Sequence, residues 1–293
     1  MSKQSSLARR ALDCFASLAM IGNSFDLVSS ARGSHRMDSI YRIDGINIET
    51  SPNAAGPWDP TMQHGSPPSA LVTYLAEQIP TPSPMQISRV TVDLLRPVPV
   101  GPLTYQTEVL REGRKIQLCA VRLLSKGVIV VGATVLKIRV APPDLPDDIE
   151  HPPLDVPHPD DCPVLDPGFT RNPFVGGMSL RKVYGGFGEI GPGATWYRAD
   201  RALVEGQPTS QAMRAVVASD FSNATSSILD FKHWTFINAD LNVFFARQPV
   251  GDWVLLNSEM WLGPDGAGIA SSKLADVHGY FGRAIQNLVV EQR

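Results

Sequence analysis

SQAMRAVVASDF, residues 210–221, decides how the chain is read. Ala212, Met213, Val216 and Val217 fall at i, i+1, i+4 and i+5, the spacing that lines one face of an α-helix. Asp220 comes three residues after Val217 and four after Val216, so it shares that apolar face. Desolvation disfavours a charge there, and the negative end of the helix dipole disfavours it again. Two readings stand. Asp220 lies one turn past the helix and faces water, or it is a buried carboxylate kept as a general base.

Outward from this helix the chain is rich in strands. Downstream lie WTFINADLNVFFARQPVG from 234, DWVLLNSEMWLG from 252, AGIASSKLADVHG from 267 and YFGRAIQNLVVEQ from 280. Just upstream, TWYRADRALV from 195 reads as an earlier strand. A second helix is predicted at SPPSALVTYLAEQI from 66, with Ala70, Leu71, Tyr74 and Leu75 on its stripe. Pro67 and Pro68 suit its first turn, where an amide has no partner. Strand patterns follow at 86–98, 102–113, 115–127 and 127–140, with turns at Gly101, Gly113 and Gly127. One helix and then several strands, with no helix between them, argues for an α+β fold with an antiparallel sheet.

The second half repeats the first. RPVPVG at 96–101 matches RQPVG at 247–251, and EVLREG at 108–113 matches EMWLG at 259–263, each pair about 150 residues apart. The expectation is two copies of one unit, 37–140 and 179–293, packed as a pseudo-dimer. Between them, 141–178 is Pro-rich and acidic, the composition of an extended linker with a solvated acidic face. Residues 1–36 carry Arg9 and Arg10 before an apolar stretch interrupted by Asp13 and Asp26. They read as an amphipathic helix or disordered extension outside the fold, not an export signal.

The net charge of −3 is unevenly spread, with eight acids and no Lys or Arg between 140 and 170. No concentrated basic face marks a nucleic-acid binder. No apolar run is long enough to span a membrane. Cys14, Cys119 and Cys162 are far apart and form no CxxC, which disfavours a zinc site or disulfide framework and favours a reducing cytoplasm. Cys119, mid-strand among apolar residues, reads as core. No GxSxG elbow supports a serine hydrolase.

WDPTMQHGSPPSALV, VDLLRPVPVGPL, VLREGRKIQ, FINADLNVFFARQPVGDWVLL and GRAIQNL resemble segments of the double-hotdog acyl-CoA thioesterases, the thioesterase-II-like enzymes and their wider superfamily. The likeness runs over about 38–293, the linker excepted. It implies a tandem hotdog, each copy a long helix wrapped by an antiparallel sheet. It also implies a fatty acyl-CoA substrate, no cofactor and, by fold-level analogy, a homo-oligomer. The family's catalytic Asp matches Asp220 and its Gln matches Gln286. Its Thr or Ser matches Asn238, an amide in place of a hydroxyl.

Thioester hydrolysis needs an oriented water, a base and donors for the developing oxyanion. Asp220 suits the base. Gln286 shares a face with Ala284, Leu288 and Val290, and is either a structural amide or a holder of the water. Asn238 falls on a row with Phe236, Asp240, Asn242 and Phe244, a partly wet sheet face or part of the site. His64 and Gly65 are expected at the pocket mouth, although a His there also serves as a hydrogen bonder at a helix start. A helix N-terminus can supply the oxyanion donor. The competing reading is a non-catalytic acyl-CoA- or lipid-binding protein, marked by Asn238. A hydratase ranks last, because no His follows Asp220 at helical spacing.

Overall fold

The computed structural model describes residues 37–293 except 58, 147, 148, 150 and 167–171. The expectations for 1–36, Cys14 included, lie outside the described residues. Met37–Arg293 forms one compact unit. Its first half holds β1 (Tyr41–Asp44), β2 (Asn47–Thr50), α1 (Ser66–Glu77), β3 (Met85–Leu94), β4 (Leu103–Glu112), β5 (Ile116–Ser125) and β6 (Val128–Arg139). Its second half holds β7 (Met178–Gly186), β8 (Glu189–Ala199), α2 (Gln211–Ser219), α3 (Ser222–Thr225), β9 (Trp234–Asn238), β10 (Asp240–Phe245), β11 (Val254–Leu262), β12 (Ala267–Asp276) and β13 (Gly279–Gln292). The long strands match the alternating runs of the sequence.

The strands form one 13-stranded sheet in the order β1-β2-β4-β5-β6-β3-β10-β13-β12-β11-β8-β7, with β9 also on β13. All pairs of strands within it are antiparallel. The halves join where β3 pairs with β10, centred on Thr91–Asn242. The inner sheet face packs on both helices: Val90, Val92, Val121, Val135, Leu241, Val243 and Leu256 meet Leu71, Leu75, Met213 and Val216 in one core.

The two helices run antiparallel. Ser66 at the start of α1 bonds to Val217 and Asp220 at the end of α2, and Glu77 at the end of α1 accepts from Ser210 before α2. The sequence predicts one stripe on α1, but Ser66 through Thr73 are all buried, because α2 covers a second face. Buried hydroxyls there bond to their own helix: Ser69 to the Gly65 carbonyl at 2.8 Å and Thr73 to that of Ser69 at 2.9 Å. The expected 210–221 helix is shorter: it stops at Ser219, and α3 follows as a separate turn.

Among the described residues of the Pro-rich stretch, Pro159–Asp161 and Val175–Gly177 form short 3-10 turns, so it is not extended throughout, while Asp144, Asp155, Asp160 and Asp161 are exposed. It also borders the sheet. The Trp196 indole donates to Pro157 O (3.1 Å), and Cys162 packs with Trp196 and Leu255. Lys182 N donates to Pro163 O and Leu165 N to Leu180 O, so this backbone covers the open edge of β7. Cys119 is buried in the core, as expected.

Candidate active site

Asp220 caps the C-terminal end of α2, and its residue is 4% exposed. Of the two readings of this carboxylate, burial is the one found. Four groups from three stretches meet it. Ser66 Oγ donates to Oδ2 at 3.1 Å, and His64 Nδ1 lies 3.0 Å from the same oxygen. Asn238 Nδ2 donates to Oδ1 at 2.9 Å and Gln286 Nε2 at 3.3 Å. The N-terminus of α1 also points at the carboxylate, so the positive end of one helix dipole opposes the negative end of the other.

Gly65 is needed here for closeness. A Cβ on it would lie 2.7 and 2.8 Å from the two carboxylate oxygens, and its backbone is ordinary helical (φ −66°). With Pro67 and Pro68 next in the chain, only Gly65 and Ser66 bring amide N–H groups to the first positions of α1. The Ser66 amide lies 3.2 Å from His64 Nδ1. That nitrogen therefore stands between an amide N–H and a carboxylate oxygen. It can accept from the first or donate to the second, not both.

His64 lies at the helix start, where a hydrogen bonder was expected, and it stands at the carboxylate itself. Its ring stacks on Phe174 (centroids 5.0 Å apart) and Phe221 (4.8 Å). No helical spacing could reveal this pair, because His64 and Asp220 belong to different halves. The objection raised against a hydratase, the lack of a nearby His, does not survive the structure.

Gln286 lies on the buried face of β13 with Ala284 and Leu288, as alternation predicts. Both ends of its amide are engaged. Nε2 also donates to Asp220 O at 3.2 Å, and Oε1 accepts from Asn223 N at 3.2 Å. It thus ties Asp220 to the start of α3, and its Oε1 keeps a second lone pair.

The polar row expected around Asn238 does not exist. Leu288 pairs with Asn238, but Ile285 pairs with Asn242, so Ala239 is one extra residue on that side. Its N–H still bonds to Asn287 O at 2.9 Å. Phe236 and Asn238 face inward, and from there the buried residues are Leu241, Val243 and Phe245. Asp240 instead bonds along the sheet, accepting from Asn287 N (2.7 Å) and Asn242 Nδ2 (3.1 Å).

Beneath the site, Ser272 Oγ donates to Ser222 Oγ at 2.7 Å, and Ser222 to Ser219 O at 2.7 Å. Ser258 Oγ lies 2.6 Å from Ser272 Oγ. These buried hydroxyls fasten α3 to β11 and β12. Gly193 belongs to the same close packing, since a Cβ there would lie 2.1 Å from Thr225 O. Sequence reading missed Ser66, Phe174 and this serine chain. Ser66 adjoins the motif that contains His64 and Gly65, which is the one signal that could have found it.

Among the described residues no helix is long and apolar enough to cross a membrane. A family model described as the acyl-CoA thioesterase N-terminal domain matches residues 54–138, and one described as the C-terminal domain matches 153–290. No curated protein sequence matches the chain. Among solved structures, it is similar to a hot-dog-fold protein of unknown function from Alicyclobacillus acidocaldarius (16% identity, 89% of this chain and 99% of that one, TM-score 0.69). It is also similar to the acyl-CoA thioesterase II TesB2 of Mycobacterium marinum (17%, 76% and 86%, 0.58). A third likeness is to the tesB protein of Mycobacterium avium subs paratuberculosis (16%, 86% and 95%, 0.62). With both domain models matched in order along one antiparallel sheet, the chain belongs to the acyl-CoA thioesterase family and is a thioester hydrolase.

Proposed function

We propose that the chain hydrolyses a fatty acyl-CoA to the free acid and CoA, with Asp220 as general base for the attacking water. The observation that carries this is a buried carboxylate held by donors from α1, β9 and β13. Asn238 uses its Nδ2 to fix Asp220, which leaves its Oδ1 to accept from the water. In this way an amide does the work of the family's hydroxyl. The water loses a proton to Asp220 as its oxygen bonds to the thioester carbon. The Gly65 amide at the start of α1 is the donor suited to the oxyanion. As the intermediate collapses, the C–S bond breaks, and the CoA sulfur takes the proton from Asp220.

In this reading the chain is a tandem hotdog, 37–140 and 179–293 around the 141–178 linker, each half a helix wrapped by antiparallel strands. A cytoplasmic setting fits the buried free thiols of Cys119 and Cys162. Self-association through the sheet belongs to the same proposal, and a monomer in light scattering at micromolar concentration would remove it. One observation favours a second reading: the 3.0 Å His64–Asp220 contact is an acid–base pair suited to adding water to an enoyl-CoA.

The test is thiol release from short- to long-chain acyl-CoAs by wild type and Asp220→Asn. Turnover that collapses in the variant supports the proposal. No release at any chain length, with calorimetric acyl-CoA binding intact, replaces it with a binding protein. Hydration of an enoyl-CoA without thiol release selects the second reading.

A further inference from the structure

Ser66 is fully buried at the first position of α1. Its Oγ lies 3.1 Å from Asp220 Oδ2 and 3.0 Å from Val217 O. A hydroxyl has one proton and so donates well to one acceptor at a time. In a continuing helix, Val217 O would accept from the Phe221 amide, but that amide bonds to Ala218 O at 3.0 Å. The end of α2 at Asp220 thus leaves the Val217 carbonyl to the serine. One acceptor is a fixed carbonyl. The other is a carboxylate that, in the proposed hydrolysis, gains and loses a proton in each turnover.

We propose that Ser66 is a positioning residue whose hydroxyl donates to Asp220 while the carboxylate awaits the proton of water and turns to Val217 O once that proton has arrived. This rests on Asp220 acting as the base. When the water O–H bond breaks, the proton moves to Asp220, and the carboxyl no longer needs an outside donor on that oxygen. Ser66 then satisfies Val217 O. When the CoA sulfur takes the proton, Asp220 is a carboxylate again and Ser66 returns. The serine exchanges no atom with the substrate.

The groups facing Asp220 are His64 from the loop before α1, Ser66 from α1, Asn238 from β9 and Gln286 from β13. Of these His64 is titratable, and the other three are neutral. Removing the serine donor disfavours the ionised carboxylate, so the acid limb of the activity profile must move to higher pH. A serine that only packs the helix would change stability and leave that limb in place.

The experiment measures pH profiles of kcat and kcat/KM with a turned-over acyl-CoA for wild type, Ser66→Ala, Ser66→Thr, Asp220→Asn and the Ser66→Ala/Asp220→Asn double variant. In Ser66→Ala the acid limb should rise by about one pH unit and kcat fall about tenfold, with KM little changed. Ser66→Thr should restore most of both, and the double variant should be no slower than Asp220→Asn. An unshifted acid limb in Ser66→Ala beside an inactive Asp220→Asn overturns this inference alone. Wild-type rates in Asp220→Asn overturn the general-base reading and the inference with it. If Ser66→Ala does not fold, Ser66→Cys, with its weak thiol donor, takes its place in the series and must show the same shift.

Discussion

Counting outward from the Thr91–Asn242 pair, Val135 holds the place of Gln286, Ile87 that of Asn238, and Val121 that of Ser272. The first half fills these places with aliphatic side chains in the core. The second half fills them with two amides and a hydroxyl that reach Asp220 and α3. Both halves even share the irregularity near this point, since β3 slips in register between Ile87 and Arg89 as the second half does at Ala239. The same backbone therefore carries plain core once and the polar cluster around Asp220 once. Buried polar groups are costly unless bonded, and at these three places the first half keeps aliphatic packing where the second half carries polar groups.

The contrast can be broken most sharply at its centre. Asp220→Asn should lower the rate of thiol release by about a hundredfold or more, with the fold retained in circular dichroism. Gly65→Ala should come next. Its Cβ must displace the carboxylate, and a shift of about 1 Å at a reacting group costs up to about 10² in rate. Acyl-CoA kinetics together with a structure of the variant would check both displacement and loss. Giving the first half one of the second half's amides should add no activity. Val135→Gln should instead destabilise the protein by about 1–3 kcal/mol in urea unfolding, because it buries an amide among the aliphatic side chains of the core.

The smallest effects lie at the other end of the helix pair. Ser210 caps α2 by accepting from Met213 N (3.1 Å) and donates to Glu77 (2.8 Å), so Ser210→Ala should cost about 1 kcal/mol. Burial pushes the Glu77 carboxyl above its ordinary range, against the opposing effects of Ser210 and Lys137. The native chain then holds a proton that the unfolded chain has released. Stability from this group is present below the unfolded value and falls as pH rises from there through the raised one. Thermal melts from acid to neutral pH should show that decline in wild type and a flatter profile in Glu77→Gln.

Periodicity made the strands and both helices legible, because alternation and the i, i+4 stripe follow directly from burying one face. It also placed Gln286 inward and Asp220 on the apolar face. Asn238, which meets Asp220, was set on the wrong row, because one extra residue at Ala239 changes the phase without any mark in the composition. Ser66 and His64 could not be joined to Asp220 by any spacing, since the contact depends on how two helices from different halves lie side by side. Phe174 was hidden for a different reason. A Pro-rich, acidic stretch advertises solvent, yet its end carries an aromatic ring into the site.

His64, Gly65 and Ser66 come from one half, and Asp220, Asn238 and Gln286 from the other. The arrangement has a stoichiometric consequence. Two equal subunits of a symmetric dimer would build this meeting point twice, whereas here the places that mirror Gln286, Asn238 and Ser272 hold Val135, Ile87 and Val121, and the opposite end of the helix pair carries Glu77, bonded to Ser210, in place of Asp220. Titration with a non-hydrolysable acyl-CoA should therefore saturate at a single equivalent per chain, however many chains associate.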